Sequence, residues 1–310
     1  MKQYQNGRVV GSVGGIFEVL ITDGDGEERL FCRARGNLRR GEGRVLVGDL
    51  VRVRAEENDE CAIEEIEERK NSLIRPPLAN LDRLYVVLAV RDPEPMPETT
   101  DKLLAITEHN GIDTTVILTK TDLSPERAGE LAELYRTAGY TVFCVSTYKK
   151  EGIAALRDHL SHALAGGKIA AFAGASGVGK SSLINALFPD LALQTGEISQ
   201  KIGRGKNTTR TTALHPVFGC AEGGFLADTP GFSMLDFIRF DFMTWEDLPY
   251  AFREFAPYLG ACRYADCNHV KEEECAVRAA VREGRIPPSR YESYASLYTV
   301  LKGKNPYSEK

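Results

Sequence analysis

Hydrophobic spacing changes twice along this chain, and the changes divide it into three parts. Up to about residue 70, short apolar runs (8–10, 15–22, 29–34, 44–55 and 61–68) are punctuated by Gly24, Gly26, Gly36, Gly41 and Gly48. Turn signals at that spacing predict a small β-barrel or sandwich. Pro76-Pro77 then marks a linker, because proline holds itself and the preceding residue in extended geometry. Beyond it, unbroken apolar runs at 84–90, 115–119, 141–146 and 169–173 read as buried strands, separated by helical patterns at 99–109, 124–138 and 152–164. Strands alternating with helices predict a doubly wound, mostly parallel α/β sheet that binds ligands at its strand C-terminal ends. Strands at 213–218 and 224–227 follow. After Phe232 the pattern turns to aromatic-rich helices, a Cys/His cluster and a last helix near 289–301. The expected fold is therefore multidomain: a β-barrel over 1–72, an α/β domain over 73–235 and a mainly helical domain over 236–310.

Composition narrows this picture in a few places. A length of 310 residues suits two or three domains. The N-terminus has no apolar leader, and no segment approaches the ~18 uninterrupted apolar residues of a membrane span, so a soluble, cytoplasmic protein without membrane contact is expected. Net charge of −5 argues against nonspecific nucleic-acid binding, yet the charge is uneven. Six arginines and one acid lie between Arg29 and Arg44, where a phosphate-contacting face and a solvated loop both remain open readings. Lys201, Arg204, Lys206 and Arg210 form a second basic stretch. Seven cysteines, an odd number, fit thiols or metal ligands better than disulfides.

The run Ile169–Ala173 feeds into Gly174, Ala175, Ser176, Gly177, Val178, Gly179, Lys180 and Ser181, followed by the helical pattern Ser182–Phe188. This is GxxxxGK[ST] between a strand and a helix, the P-loop: its glycines let backbone N–H groups surround phosphate oxygens at a helix N-terminus. Lys180 is expected to reach the β/γ-phosphates and the Ser181 hydroxyl to ligate Mg²⁺.

Thr119, Lys120, Thr121 and Asp122 follow a buried strand. An aspartate there can accept from guanine N1–H and N2–H₂, which adenine does not offer, while a lysine stem lies along the ring. The usual motif is NKxD, so Thr119 brings a shorter donor than asparagine. Ser146 either supports the base from the other side or caps a helix. Asp228 to Gly231, DTPG, follows another strand: such an aspartate holds Mg²⁺ through water and the glycine N–H senses the γ-phosphate. Thr208 or Thr209 is the candidate ligand for Mg²⁺ and γ-phosphate, with Thr209 slightly favoured. Because TKTD and Ser146 precede the P-loop, the GTPase sheet is circularly permuted, and the segment after DTPG leads into the C-terminal domain, wiring that domain to nucleotide state.

Cys262, Cys267, His269 and Cys275 follow C-x4-C-x-H-x5-C. Three thiolates and an imidazole complete a tetrahedral Zn²⁺ set without an open position, which reads as structural. The other cysteines, 32, 61, 144 and 220, sit in strand-like runs as small core residues. Tyr291, Tyr294 and Tyr298 share a face of the last helix, for packing rather than RNA stacking.

The order TKTD, GASGVGKSS, GRGKNTTR, DTPGF and CRYADCNH, with RGNLRR and VGD near the N-terminus, closely resembles the circularly permuted RsgA GTPases across nearly the whole chain. The resemblance implies that the barrel is an OB-fold, that GTP hydrolysis is stimulated by the small ribosomal subunit during its late maturation, and that the barrel and zinc domains touch rRNA. A monomer is expected. Phe232 stands where many GTPases carry a water-positioning Gln, as is typical of this family. A His usually precedes the switch threonines in its members and is thought to take over that task; here Asn207 stands there. An amide orients water but does not take its proton, so hydrolysis is expected to be slower or to borrow a ribosomal group. The competing reading is an RNA-binding assembly factor with a nucleotide-switched, poorly hydrolytic site. A P-loop small-molecule kinase would leave TKTD and DTPG without a role.

Overall fold

The computed structural model describes residues 4–23, 26–38, 43–55, 61–73, 77–189, 191, 212–219, 221–228 and 243–303. Its strands are β1 (Tyr4–Val13), β2 (Ile16–Asp23), β3 (Gly26–Ala34), β4 (Leu50–Ala55), β5 (Cys61–Ile66), β6 (Ser72–Leu73), β7 (Leu78–Ala79), β8 (Arg83–Ala89), β9 (Asp113–Thr119), β10 (Thr141–Cys144), β11 (Ile169–Ala173), β12 (Ala213–Pro216) and β13 (Phe225–Asp228). Its α-helices are α1 (Pro97–His109), α2 (Pro125–Thr137), α3 (Ile153–Leu164), α4 (Lys180–Leu187), α5 (Ala276–Arg282) and α6 (Pro288–Gly303). The chain folds as two compact units, one of Met1–Arg83, Ala154–Phe172 and Ile184–Phe232, the other of Leu84–Ile153, Ala173–Leu183 and Ser233–Lys310.

In the first unit β1 to β5 close a barrel in the order β1-β2-β3-β5-β4 and back to β1, the OB-fold. One long strand closes it: β1 pairs with β4 over Tyr4–Arg8 and with β2 over Arg8–Val13, and a bulge at Val9/Gly11 bends it between the two. Val9, Val19, Cys32, Val51, Val53 and Ile63 fill the interior. The arginine-rich segment is partly neutralised, since Arg29 pairs with Glu18 at 2.5 Å and Arg35 with Glu64 at 2.8 Å. Arg39 and Arg40 lie outside the described residues.

The pattern over 44–55 predicts one strand, but only Leu50–Ala55 forms it. Buried Asp49 is the reason. Its carboxylate accepts from the Leu46 N–H at 2.7 Å and from Arg69 Nε and Nη2 at 2.7 and 2.9 Å, which turns the chain at 46–49. Ala79 N–H donates to the Val47 carbonyl at 2.8 Å and Asn80 Nδ2 to the Gly48 carbonyl at 3.1 Å. Residues 74–76 lie outside the described residues, and the chain from Pro77 to Asn80 is thus bonded onto the barrel. Asp82 continues the path, accepting from the Ile169 N–H at 2.8 Å at the start of β11. Beside β11, β13 runs parallel, and only β12 next to it runs antiparallel, which fits the mostly parallel sheet expected.

In the second unit the order is β10-β9-β8, with β9 and β10 parallel. β8 is buried on both faces from Leu84 to Ala89, which its unbroken apolar run requires. The aromatic-rich stretch after residue 243 forms 3-10 turns, Leu248–Ala251 and Arg253–Tyr258, instead of the expected α-helices, and Pro257 inside the second removes a backbone donor there. Phe252, Phe255 and Tyr294 pack there with ring centroids 4.8 to 5.4 Å apart. Tyr294 and Tyr298 are buried in that packing, as expected of them. Arg290, fully buried on α6, donates to Asp101 of α1 at 2.7 Å and to Glu254 at 2.6 and 3.2 Å. Burial opposes its charge, but the two carboxylates outweigh burial and hold the guanidinium well above its ordinary pKa. No helix among the described residues is long and apolar enough to cross a membrane.

Candidate nucleotide site and metal cluster

β11 ends at Ala173 and the chain turns through Gly174–Gly179 into α4. A Cβ on Gly174 would sit 2.3 Å from the Val87 carbonyl oxygen, so the loop can leave the sheet this closely only as glycine. Gly177 and Gly179 adopt φ of +80° and +92°, the left-handed turns that aim successive N–H groups inward. Lys180 Nζ bonds the Gly174 and Ala175 carbonyls at 2.6 and 2.8 Å, and burial lowers its pKa. That ammonium, half-buried at a helix N-terminus, is placed to meet an anion. Ser181 and Ser182 are exposed on the first turn of α4, and Val178 is buried behind the loop.

TKTD begins at the last residue of β9. Thr119 is buried, and its hydroxyl lies 2.6 Å from the Val178 carbonyl and 3.0 Å from the Leu88 carbonyl. It braces the P-loop against the sheet, one of the two tasks of the usual asparagine. Lys120 takes φ +56°, which swings the chain out of the strand, and its ammonium donates to the Asp92 carbonyl. Ser146 is buried, accepts from the Lys149 N–H at 3.0 Å and donates to Asp122 Oδ1 at 2.5 Å. Ser146 caps no helix, since α3 starts only at Ile153: its oxygen holds the turn at 146–149, and its proton meets the aspartate expected to read guanine. The structure brings Thr119–Asp122, Ser146 and Gly174–Ser181 together within the second unit.

Asp228 ends β13, parallel to β11, so both strands finish at the same edge of the first unit's sheet. Asn207, Thr208, Thr209, Gly231 and Phe232 lie outside the described residues, as do Cys220 and the basic stretch 201–210.

The C-terminal cysteines and histidine form a second constellation. The donor atoms of Cys262, Cys267, His269 and Cys275 all lie within 4.8 Å of one another. His269 Nδ1 is 3.5 Å from Cys262 and Cys267 Sγ and 3.4 Å from Cys275 Sγ, and Cys262 and Cys275 sulfurs are 3.8 Å apart. A tetrahedron with Zn–S of ~2.3 Å and Zn–N of ~2.0–2.1 Å has S–S edges of about 3.8 Å and S–N edges of about 3.5 Å. One imidazole nitrogen cannot hydrogen-bond three sulfurs at once, but a shared cation accounts for the 3.4–3.5 Å nitrogen–sulfur and 3.8 Å sulfur–sulfur separations. Backbone N–H groups of Ala276 and Arg278 point at Cys262 and Cys275 sulfurs, the outer contacts thiolates require. Burial pushes the Cys267 thiol up to about 12, helped by its neighbouring cysteines. The donor set fits zinc. Tyr291 and Tyr294 hydroxyls bond the carbonyls of His269 and Asn268 at 3.0 and 2.7 Å, tying the cluster to α6.

Comparison with known proteins decides the family. The RsgA GTPase model matches residues 66–238 and the RsgA N-terminal domain model residues 6–63. The chain belongs to the RsgA GTPase family. The small ribosomal subunit biogenesis GTPase RsgA of Geobacillus thermodenitrificans is 40% identical over 305 residues, covering 97% of this chain and 98% of that protein. The Bacillus subtilis protein of the same name is 37% identical over the same shares. Among solved structures, YjeQ from Thermotoga maritima superposes with a TM-score of 0.80 at 34% identity, covering 98% of this chain and all of that one. YloQ, a circularly permuted GTPase, gives 0.78 at 33%, covering 98% and 97%.

As an RsgA GTPase the chain hydrolyses GTP, with Mg²⁺ accompanying the nucleotide. The permuted order read from TKTD and the P-loop is that of the family fold. Sequence reasoning missed Arg290 and Arg69, whose partners are distant in sequence. The signal was only an arginine in each otherwise ordinary segment.

Proposed function

We propose that this chain hydrolyses GTP on the small ribosomal subunit late in the subunit's maturation, and that the subunit stimulates the reaction. One observation carries the reading: a guanine-reading carboxylate, Asp122, already oriented by Ser146, beside a P-loop already braced by Thr119. The near full-length likeness to proteins named for subunit biogenesis supports the partner. Three parts share the work: a barrel over 1–72 and a zinc domain over 236–310 that contact rRNA, and a GTPase domain over 73–235. GTP and GDP are held by Thr119–Asp122, Ser146 and Gly174–Ser182; with GTP, Asp228 would hold Mg²⁺ through water and the Gly231 N–H would meet the γ-phosphate.

Ser181 and Thr209 would hold Mg²⁺, which when bound neutralises charge developing on the β- and γ-phosphate oxygens. Lys180 adds its charge there, and Asn207 orients the attacking water. Cys262, Cys267, His269 and Cys275 hold one structural Zn²⁺. The protein acts as a cytoplasmic monomer.

Single-turnover hydrolysis with and without saturating small subunits tests this. Acceleration by the subunit is expected, and Asn207→Ala should lower the stimulated rate roughly 10- to 1000-fold while hardly changing GTP affinity. An unstimulated rate would favour a nucleotide-switched assembly factor, and a stimulated rate unchanged in Asn207→Ala would place the water-positioning group on the ribosome.

A further inference from the structure

The first position of the base-reading motif departs from asparagine, and its geometry has a consequence for substrate range. Guanine presents donors on its Watson–Crick edge and an acceptor, N7, on the other. An asparagine can serve N7 with its amide while bracing the P-loop, because it carries two N–H protons and an oxygen. Thr119 carries a single proton. Its hydroxyl sits between two backbone carbonyls, Val178 at 2.6 Å and Leu88 at 3.0 Å, and only 3% of the residue is exposed. Both neighbours are acceptors, so the proton is committed to one of them, and a hydroxyl that turned to N7 would leave a buried carbonyl of the P-loop unpaired.

We infer that Thr119 is a positioning residue for the P-loop only, that guanine is recognised here through its Watson–Crick edge by Asp122, and that the site accepts guanine nucleotides lacking the N7 acceptor as readily as GTP and GDP. This rests on the guanine-site reading above. It makes Thr119 the residue that sets tolerance on one edge of the base, while Asp122 and Ser146 keep selectivity on the other.

The test titrates the full-length protein with GDP, 7-deaza-GDP, in which N7 is replaced by C–H, and ADP. Wild type should bind GDP and 7-deaza-GDP within about twofold of each other. Thr119→Asn should open a preference for GDP of about 3- to 10-fold, the worth of one ordinary hydrogen bond. Thr119→Ser should retain GDP affinity, and Thr119→Val should weaken GDP and 7-deaza-GDP by the same factor, about 3- to 30-fold, because the brace is lost but no base contact is. A wild-type preference for GDP over 7-deaza-GDP above about threefold would overturn the inference, and so would unchanged GDP binding in Thr119→Val. Should wild type fail to prefer GDP over ADP, the guanine-site reading falls instead, a result separate from the N7 comparison.

Discussion

The nucleotide site and the C-terminal region solve opposite problems. Around Thr119, Ser146 and Gly174 the positions are set by backbone: parallel strands end together, and short side chains tie one strand end to the next loop over 2.5 to 3.0 Å. The C-terminal region has two α-helices, two 3-10 turns and no strand among its described residues. It is held by groups costly to bury, namely Arg290 with Asp101 and Glu254, and the Cys₃His set. A backbone-built site tolerates loss of one side chain in graded steps, whereas a buried charge or metal cluster fails when one partner goes. Single substitutions should therefore have larger structural effects in the C-terminal region, and binding effects without unfolding at the nucleotide site.

The largest effect is expected at the metal. Cys275→Ser should abolish stoichiometric zinc and unfold the C-terminal region, since apparent metal-binding energies of ~10 kcal/mol are folding energy in such clusters. Metal analysis, with circular dichroism in the presence of a chelator, checks it; one zinc retained with the fold intact would remove Cys275 from the set. Zinc affinity of wild type should fall with acid, because binding displaces thiol protons.

Next comes Arg290→Met, expected to cost about 3–5 kcal/mol at neutral pH because Asp101 and Glu254 would be left buried without a counter-charge. Burial already pushes the Asp101 carboxyl up despite Arg290. Without the arginine it rises further, and a carboxyl whose folded pKa exceeds its unfolded value loses stability as pH rises and regains it as pH falls between those two values. The deficit in urea unfolding should accordingly shrink from pH 7.5 to pH 5. A deficit independent of pH would contradict an unpaired carboxylate as its cause.

The smallest effect should be Ser146→Ala. It removes one hydrogen bond to Asp122 and should weaken GDP about 3- to 10-fold with no change in melting beyond a few degrees. No loss of GDP affinity would mean that Ser146 only holds its turn.

Legibility in the sequence follows the same division. The run IAAFA coincides with β11, and the helical patterns at 99–109, 124–138 and 152–164 fall within a residue or two of α1, α2 and α3, because buried parallel strands and their helices have strong local periods. TKTD, the P-loop and the cysteine cluster are visible as rare residue types at fixed spacing. What depends on distant partners is hidden. Asp49 ends the expected strand at 44–55 because it meets Arg69, twenty residues on. Arg290 finds Asp101 across 189 positions. Helix α6 buries Arg290, Ser293, Tyr294, Leu297, Tyr298 and Leu301, a helical stripe of mixed polarity that hydropathy alone understates.

Guanine recognition through Asp122 is the claim on which the functional account stands, and exchange of nucleotide preference tests it most directly. The Asp122→Asn substitution puts an N–H₂ before the base where the native carboxylate presents two acceptor oxygens, which suits xanthine, whose C2 bears a carbonyl in place of guanine's amine. Titrating GDP and xanthosine diphosphate against wild type and Asp122→Asn should show GDP affinity falling roughly 30- to 1000-fold, on the order of 2–4 kcal/mol, while xanthosine diphosphate binding improves. A variant that keeps the wild-type preference for GDP would contradict the assignment of this site.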